Sequence, residues 1–283
     1  MYTPRSLKAF LKTVQIVLTL LCPLIVSAQT TTPLPNAFAH NDYTHHRPLF
    51  EALDNGYTNI EADIFLMDDD KLVVAHMFPY FRQERTLERL YLQPLKQRIQ
   101  QNGGWVYKNY QQPVILMIDI KTGANNTYAA LEKLLDRYSD ILTHYDDGVV
   151  KPGAITVVIS GHKPYMAMAG ERHRLAFIDQ DLRRGTRDTL DEKFYVMSSC
   201  KYSKLMQWKG DGPMPAADSI KLTRYVGWAH RYRRKVRLWA SPEKRAVWAK
   251  LLSCGVDLIN TDRLSDLRSF LQARQPVGTY ASR

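Results

Sequence analysis

Asn59-Ile60-Glu61-Ala62-Asp63-Ile64-Phe65-Leu66, echoed further along by Val114-Ile115-Leu116-Met117-Ile118-Asp119-Ile120-Lys121, is the stretch from which the architecture can be read. Successive side chains of a strand point to opposite faces, so residues two apart share one. Ile60, Ala62 and Ile64 then lie on one face, with Glu61 and Asp63 on the other. Ile118 and Ile120 repeat the apolar face, and Asp119 and Lys121 the charged one. Acids placed inside a parallel sheet whose outer face meets helices belong to a functional mouth, because the interior of such a sheet is otherwise filled with Val, Ile and Leu.

Working outward from these two runs, the chain alternates short β-branched segments with helical patterns, which argues for parallel strands joined by crossover helices. Further strands are expected at Asn36–His40, Ile155–Ser160, Leu175–Asp179, Phe194–Ser198, Val236–Ala240 and Asp257–Asn260, making eight in all. Helices are expected near Pro48–Asn55, Thr86–Gln101, Thr127–Leu142, Pro164–Glu171, Ser219–Arg234, Pro242–Ser253 and Leu264–Ala273, while Leu182–Lys193 reads as an irregular link. Ser241-Pro242 reads as a helix cap with Pro in the first turn, and Lys71–His76 as an additional strand returning from the Asp68-Asp69-Asp70 turn. The expected fold is α/β, a (β/α)₈ TIM barrel. The 283 residues accommodate one such domain, which takes about 250.

Arg5, Lys8 and Lys12 precede an apolar run from Val14 to Val26, and Val26-Ser27-Ala28 offers small residues before Gln29. That layout is a secretory signal peptide over residues 1–28, leaving a single domain over 29–283 and a secreted or periplasmic destination. Removing the leader takes away three cations and lowers the net charge from +11 to +8. A surplus of that size favours anionic partners, among them phospholipid head groups, phosphate esters and the surface of an anionic membrane. Only Cys200 and Cys254 remain in the mature chain. They fall at opposite ends of the expected barrel, so both are expected to be free thiols.

Glu61, Asp63 and Asp119 repel one another and lose hydration inside a barrel, which is tolerable when a cation neutralises them. Oxygen-only ligands select a hard divalent ion, Mg²⁺ or Ca²⁺. His40 ends the first strand and His76 the strand leaving the Asp-rich turn, both on the face where barrel enzymes keep their active sites. Two imidazoles can give and take a proton near neutral pH. Lys121 adds a positive contact and Asn41 a hydrogen-bond donor.

Ala39-His40-Asn41-Asp42, Ile60-Glu61-Ala62-Asp63, Ala75-His76 and Ile118-Asp119-Ile120-Lys121 together resemble the phospholipase-C-like phosphodiesterase superfamily, across nearly the whole mature chain. That superfamily includes glycerophosphodiester phosphodiesterases and sphingomyelinase-D-like phospholipases. The His40-Asn41-Asp42-Tyr43 string, with Arg85-Thr86-Leu87 and Leu90-Tyr91-Leu92, is most similar to a subgroup whose fungal members are named for altered inheritance of mitochondria. The resemblance implies His40 and His76 as an acid–base pair and Glu61, Asp63 and Asp119 as metal ligands. It also implies an aromatic pocket wall at Trp239, and hydrolysis or intramolecular cleavage of a small phosphodiester or phospholipid head group. No nucleic-acid partner is expected. Glycerophosphodiesterases usually show His-Arg-Gly at the first strand, a following Glu-Asn-Thr and a Glu as third acid. This chain has His40-Asn41-Asp42, no Glu-Asn-Thr, and Asp119, so the substrate stays open. Two other readings are a non-catalytic barrel binding phospholipid head groups, and metal-independent inositol-phospholipid cleavage, in which an Arg usually replaces the metal.

Other features are read as bland. Arg231–Arg237 is expected to be a solvated helix terminus away from the active face. Asp68, Asp69 and Asp70 form a solvated turn, His45 and His46 are loop residues without an assigned role, and Asn125-Asn126-Thr127 is a chance match to a glycosylation sequon.

Overall fold

The computed structural model describes residues 31–77, 81–184 and 193–274, and the expected leader lies outside them. From Thr31 onward the chain forms one compact unit. Eight parallel strands build it: β1 (Leu34–Ala39), β2 (Tyr57–Leu66), β3 (Val114–Ile120), β4 (Ile155–Gly161), β5 (Ala176–Asp181), β6 (Tyr195–Lys201), β7 (Lys235–Trp239) and β8 (Leu258–Thr261). They pair in sequence order, and β1 bonds both β2 and β8, with Phe38 opposite Asn59 on one side and Asn260 on the other. The sheet is closed. This is the (β/α)₈ barrel expected from the period of the strands.

Helices α1 (Phe50–Asp54), α2 (Gln93–Gln101), α3 (Ala124–Asp136), α4 (Tyr165–Gly170), α5 (Ala216–Arg231), α6 (Arg245–Ser253) and α7 (Leu264–Gln272) lie along the connections. Two apolar clusters follow from the two faces of the strands. The large one joins Ile60, Ala62, Ile64, Ile118 and Ile120 to helix residues such as Leu131, Trp248 and Leu267. The small one, Phe38, Ile115, Met117, Val158, Met197 and Leu258, comes from the alternate positions and fills the barrel interior. Above it the same face turns polar, with Glu61, Asp63, Asp179, Ser199, Arg237 and Asn260 all buried.

Several boundaries moved for identifiable reasons. The Ser241-Pro242 cap is not used: α6 begins at Arg245, because the Glu243 carboxylate turns away to accept bonds from Thr261 Oγ1 at 2.5 Å and the Asp262 N–H at 2.7 Å. The expected Thr86–Gln101 helix opens as a π-helix over Glu88–Leu92 before α2. Pro94 has no N–H to continue the α-type ladder there. A three-stranded antiparallel sheet of His144–Asp146, Val149–Lys151 and His173–Arg174 was not anticipated. Its signal was Asp147-Gly148, both at positive φ (44° and 92°), as a two-residue hairpin turn demands.

The loop after β1 is anchored by Asp42, which is fully buried. Its Oδ2 accepts from the Leu49 N–H at 2.5 Å and from the Tyr91 hydroxyl at 2.8 Å, while Oδ1 has no partner. Burial pushes this carboxyl up to about 6 although both bonds oppose it. The folded protein therefore holds the proton more tightly than the unfolded chain does. As pH rises from about 4 to about 6 the unfolded chain ionises first, and this one carboxyl takes roughly 3 kcal/mol from folding stability. Urea titrations across that range are expected to show a fall that Asp42→Asn makes shallower. An equal slope in both proteins would remove Asp42 as a source.

Candidate active site

The register of β2, β3 and β4 sets the acidic centre. Asp63 pairs with Asp119, and Asp119 with Ser160, so the two aspartates occupy the same rung on the inner face. Glu61 lies one inward position below Asp63. One carboxylate oxygen from each of Glu61, Asp63 and Asp119 falls within 4.8 Å of the others. Asp63 Oδ1 and Asp119 Oδ1 are buried without a hydrogen-bond partner. Burial, and then repulsion from Glu61, push the Asp63 carboxyl up to about 6 against the pull of the Lys121 amine. Oxygen donors this close, with two of their atoms unsatisfied, suit a hard dication such as Mg²⁺ or Ca²⁺.

Lys121 does not simply face the mouth, as its position on the strand suggests. Its Nζ bridges Asp63 Oδ2 at 3.0 Å and Asp119 Oδ2 at 3.1 Å. Gly161, at the end of β4 with φ 68°, backs Asp119, and a Cβ there would run into Asp119 Oδ1 and the Ile120 carbonyl. Gly161→Ala is accordingly expected to displace the Asp119 carboxylate and weaken Mg²⁺ or Ca²⁺ binding by about 10- to 100-fold, a range typical of disturbed support around metal ligands. Calorimetric titration measures this. An affinity equal to wild type would mean that Asp119 is not a ligand.

His40 stands where β1 ends. Its Nδ1 is 2.8 Å from Asp262 Oδ1, just beyond β8. A carboxylate only accepts, so Nδ1 carries the proton and Nε2 is the free nitrogen of the neutral ring. Burial disfavours the charged ring, yet the Asp262 bond and the field of Glu61 outweigh it and raise the His40 pKa. Asp262 is itself held, since its N–H donates to Glu243.

His76 reaches the same cleft from beyond the short strand Leu72–Val74, which pairs antiparallel with β2. Between the two sits Tyr43, whose hydroxyl lies 2.9 Å from His76 Nδ1, 2.7 Å from Asp63 Oδ2 and 2.9 Å from Asn41 Oδ1. With His76 Nδ1–H donating to the Tyr43 oxygen, the tyrosine proton is free to bond Asp63. One hydroxyl thus ties the imidazole to the acidic centre.

The cleft has a volume of about 530 Å³ and is lined by His40, Asn41, Glu61, Asp63, His76, Asp119, Lys121 and Trp239, together with groups the sequence reading left aside. Asn41 takes the left-handed conformation at φ 46°, which asparagine tolerates. Trp239 is 37% exposed. Cys200 lines the cleft too, but burial pushes its thiol up to about 12, so it is no nucleophile. As expected, Cys200 and Cys254 are both free.

The reading of Arg231–Arg237 as a solvated terminus holds for Arg231, Arg233 and Lys235, which are exposed at and after the end of α5, and is corrected for Arg234 and Arg237. Arg234 and Arg237 are 1% and 2% exposed, and Arg237 points into the barrel. There its guanidinium donates to Glu61 Oε2 at 2.6 Å and Asn260 Oδ1 at 2.7 Å, and lies 4.0 Å from the Phe38 ring centre. Its place was available from strand period alone, two residues before Trp239. Tyr43, Glu243 and Asp262 offered no such signal. His45 lies 3.6 Å from the Glu51 carboxylate, outside this cleft, and Thr127 of the sequon is buried against Thr122.

Comparison with known proteins adds a family. AIM6-like phosphodiesterase domains match residues 28–179. The chain is 27% identical to altered inheritance of mitochondria protein 6 of Lachancea thermotolerans, covering 83% of this chain and 65% of that protein. It is also 27% identical to the same-named protein of Eremothecium gossypii, covering 84% and 69%. The chain thus spans about two thirds of the length of these relatives. A glycerophosphodiester phosphodiesterase from Thermotoga maritima superposes at TM-score 0.49 and 13% identity, over 85% of this chain and 99% of that one. The relatives' name points to mitochondria and not to the cell exterior, so the secreted or periplasmic destination expected from residues 1–28 is corrected.

Proposed function

Because the chain belongs to the family of AIM6-like phosphodiesterase domains, we propose that it cleaves a phosphodiester in a glycerophosphodiester or phospholipid head group by two-histidine acid–base catalysis. The observation that carries this reading is the meeting of Glu61, Asp63 and Asp119 oxygens within 4.8 Å of one another, beside two imidazoles in one cleft. Glu61, Asp63 and Asp119 would hold one divalent cation, Mg²⁺ or Ca²⁺, which when bound supplies positive charge to offset that developing on the phosphate.

The chain's own groups do the rest. His40, oriented by Asp262 and with its pKa raised, gives a proton from Nε2 to the leaving oxygen. His76, oriented through Nδ1 by Tyr43, takes the proton of the attacking hydroxyl. Asn41 and Lys121 contact the phosphate, and Trp239 walls the pocket on the side of the head group. The cationic surplus of the chain favours contact with anionic membrane surfaces, with no nucleic acid involved.

A second reading, metal-independent cleavage, is favoured by one observation: Arg237 already neutralises Glu61 with a buried guanidinium. It leaves Asp63 Oδ1 and Asp119 Oδ1 unexplained. Phosphorus NMR of products from a panel of lysophospholipids and glycerophosphodiesters tests the proposal. New phosphomonoester or cyclic-phosphate signals are expected with Mg²⁺ or Ca²⁺. Unchanged spectra under all conditions would overturn the catalytic reading, and full activity in chelator would favour the second.

A further inference from the structure

The cleft has two chemically different ends. Strands β1, β2 and β3 bring His40, Glu61, Asp63 and Asp119 to one arc of the mouth. The opposite arc, at the ends of β4, β5 and β6, carries Lys163, Arg183, Lys201 and Lys204 in the same cavity. All four stand at or just beyond the ends of three neighbouring strands. Asp181 neutralises Arg183 through a 2.6 Å ion pair. Among the described residues, no carboxylate lies within ion-pair distance of the amines of Lys163, Lys201 or Lys204. Lys201 is instead steadied over the Trp239 ring, with Nζ 5.5 Å from its centre. Asp179, on β5 within this same arc, is buried and takes the Ser199 hydroxyl, and both it and Asp181 lie in the field of Lys163 without an ion pair to it.

We propose, resting on the phosphodiesterase reading, that Lys163, Lys201 and Lys204 form a subsite for a second phosphate, so that the preferred substrate is a phosphodiester whose head group also carries a phosphomonoester. The catalytic end needs no such group of amines, since Lys121 and the proposed cation already answer the scissile phosphate. Three amines would overcompensate a carboxylate, whereas a phosphomonoester brings a charge of about −2 and three acceptor oxygens. Lysine amines serve as point-charge partners of phosphate, and a cleft lined by one sign of charge concentrates the opposite sign. Opposite arcs of the mouth also separate the two phosphates, so the second binds away from the scissile bond.

The test uses the full chain and the double variant K201Q/K204Q, with K163Q as an independent single variant. Lys201 and Lys204 are exposed, so the fold tolerates both changes. In chelator, with inorganic phosphate as the probe, wild type is expected to bind and the double variant to bind at least about ten-fold more weakly. In the presence of Mg²⁺ or Ca²⁺, glycerophosphoinositol and its monophosphorylated derivative differ by one phosphate. The ratio of their kcat/KM values is expected to favour the phosphorylated compound in wild type and to fall about ten-fold or more in each variant. Phosphate binding lost in the variants without hydrolysis of either compound would support the subsite and sink the phosphodiesterase reading. Equal loss on both compounds, or no phosphate binding by wild type, would overturn the subsite.

Discussion

His40→Ala is expected to lower phosphodiester turnover by about two to four orders of magnitude, the usual worth of a positioned general acid or base. His76→Ala is expected to fall in the same range, and the double variant little further, because each step of the proton transfer already fails in either single change. The pH profile separates this from structural damage. His40 must carry its proton to act as the acid, so activity is expected to fall as pH climbs through the titration of its imidazole. The Asp262 carboxylate at Nδ1 favours the charged ring. Asp262→Asn removes that anion and is expected to move the alkaline limb to lower pH than in wild type. Wild-type turnover in His40→Ala would end the assignment.

The second large effect is loss of the acidic centre. Chelation, or Asp63→Asn, is expected to lower turnover by about three orders of magnitude, since charge neutralisation at the phosphate is worth several kcal/mol. Proton competition gives this a pH signature. With the Asp63 carboxyl at about 6 in the cation-free protein, divalent affinity is expected to weaken as pH drops below 6, with proton uptake on release. Calorimetry in buffers of different ionisation enthalpy reads both quantities. Full turnover after exhaustive chelation would hand the chemistry to Lys121 and Arg237.

What could be read from the chain in advance depended on local periodicity. The alternation of Glu61 and Asp63 with Ile60, Ala62 and Ile64 determined which side chains share a face, because the pleat has a period of two whatever the sheet does elsewhere. The same rule put Asp119 inside and, applied to β7, would have put Arg237 there. The run of charge at Arg231–Arg237 hid it: a row of cations reads as solvated until one residue is assigned to an inward position. Helix ends were less legible. Ser241-Pro242 has the chemistry of a cap, but Glu243 prefers the Thr261 hydroxyl and the Asp262 N–H, which only closure brings near.

By itself, then, the sequence determined the α/β class, the count of eight strands and the inward acids, all consequences of spacing along one segment. The tertiary structure decided which residues serve those acids and the histidines. Tyr43 bridges His76 to Asp63, Asp262 holds His40 across 222 positions of chain, and Arg237 reaches Glu61 across 176. Such partners are chosen by the pairing of β1 with β8 and by the closure of the barrel, and no periodicity within a single strand encodes the residue that arrives from the far end of the chain.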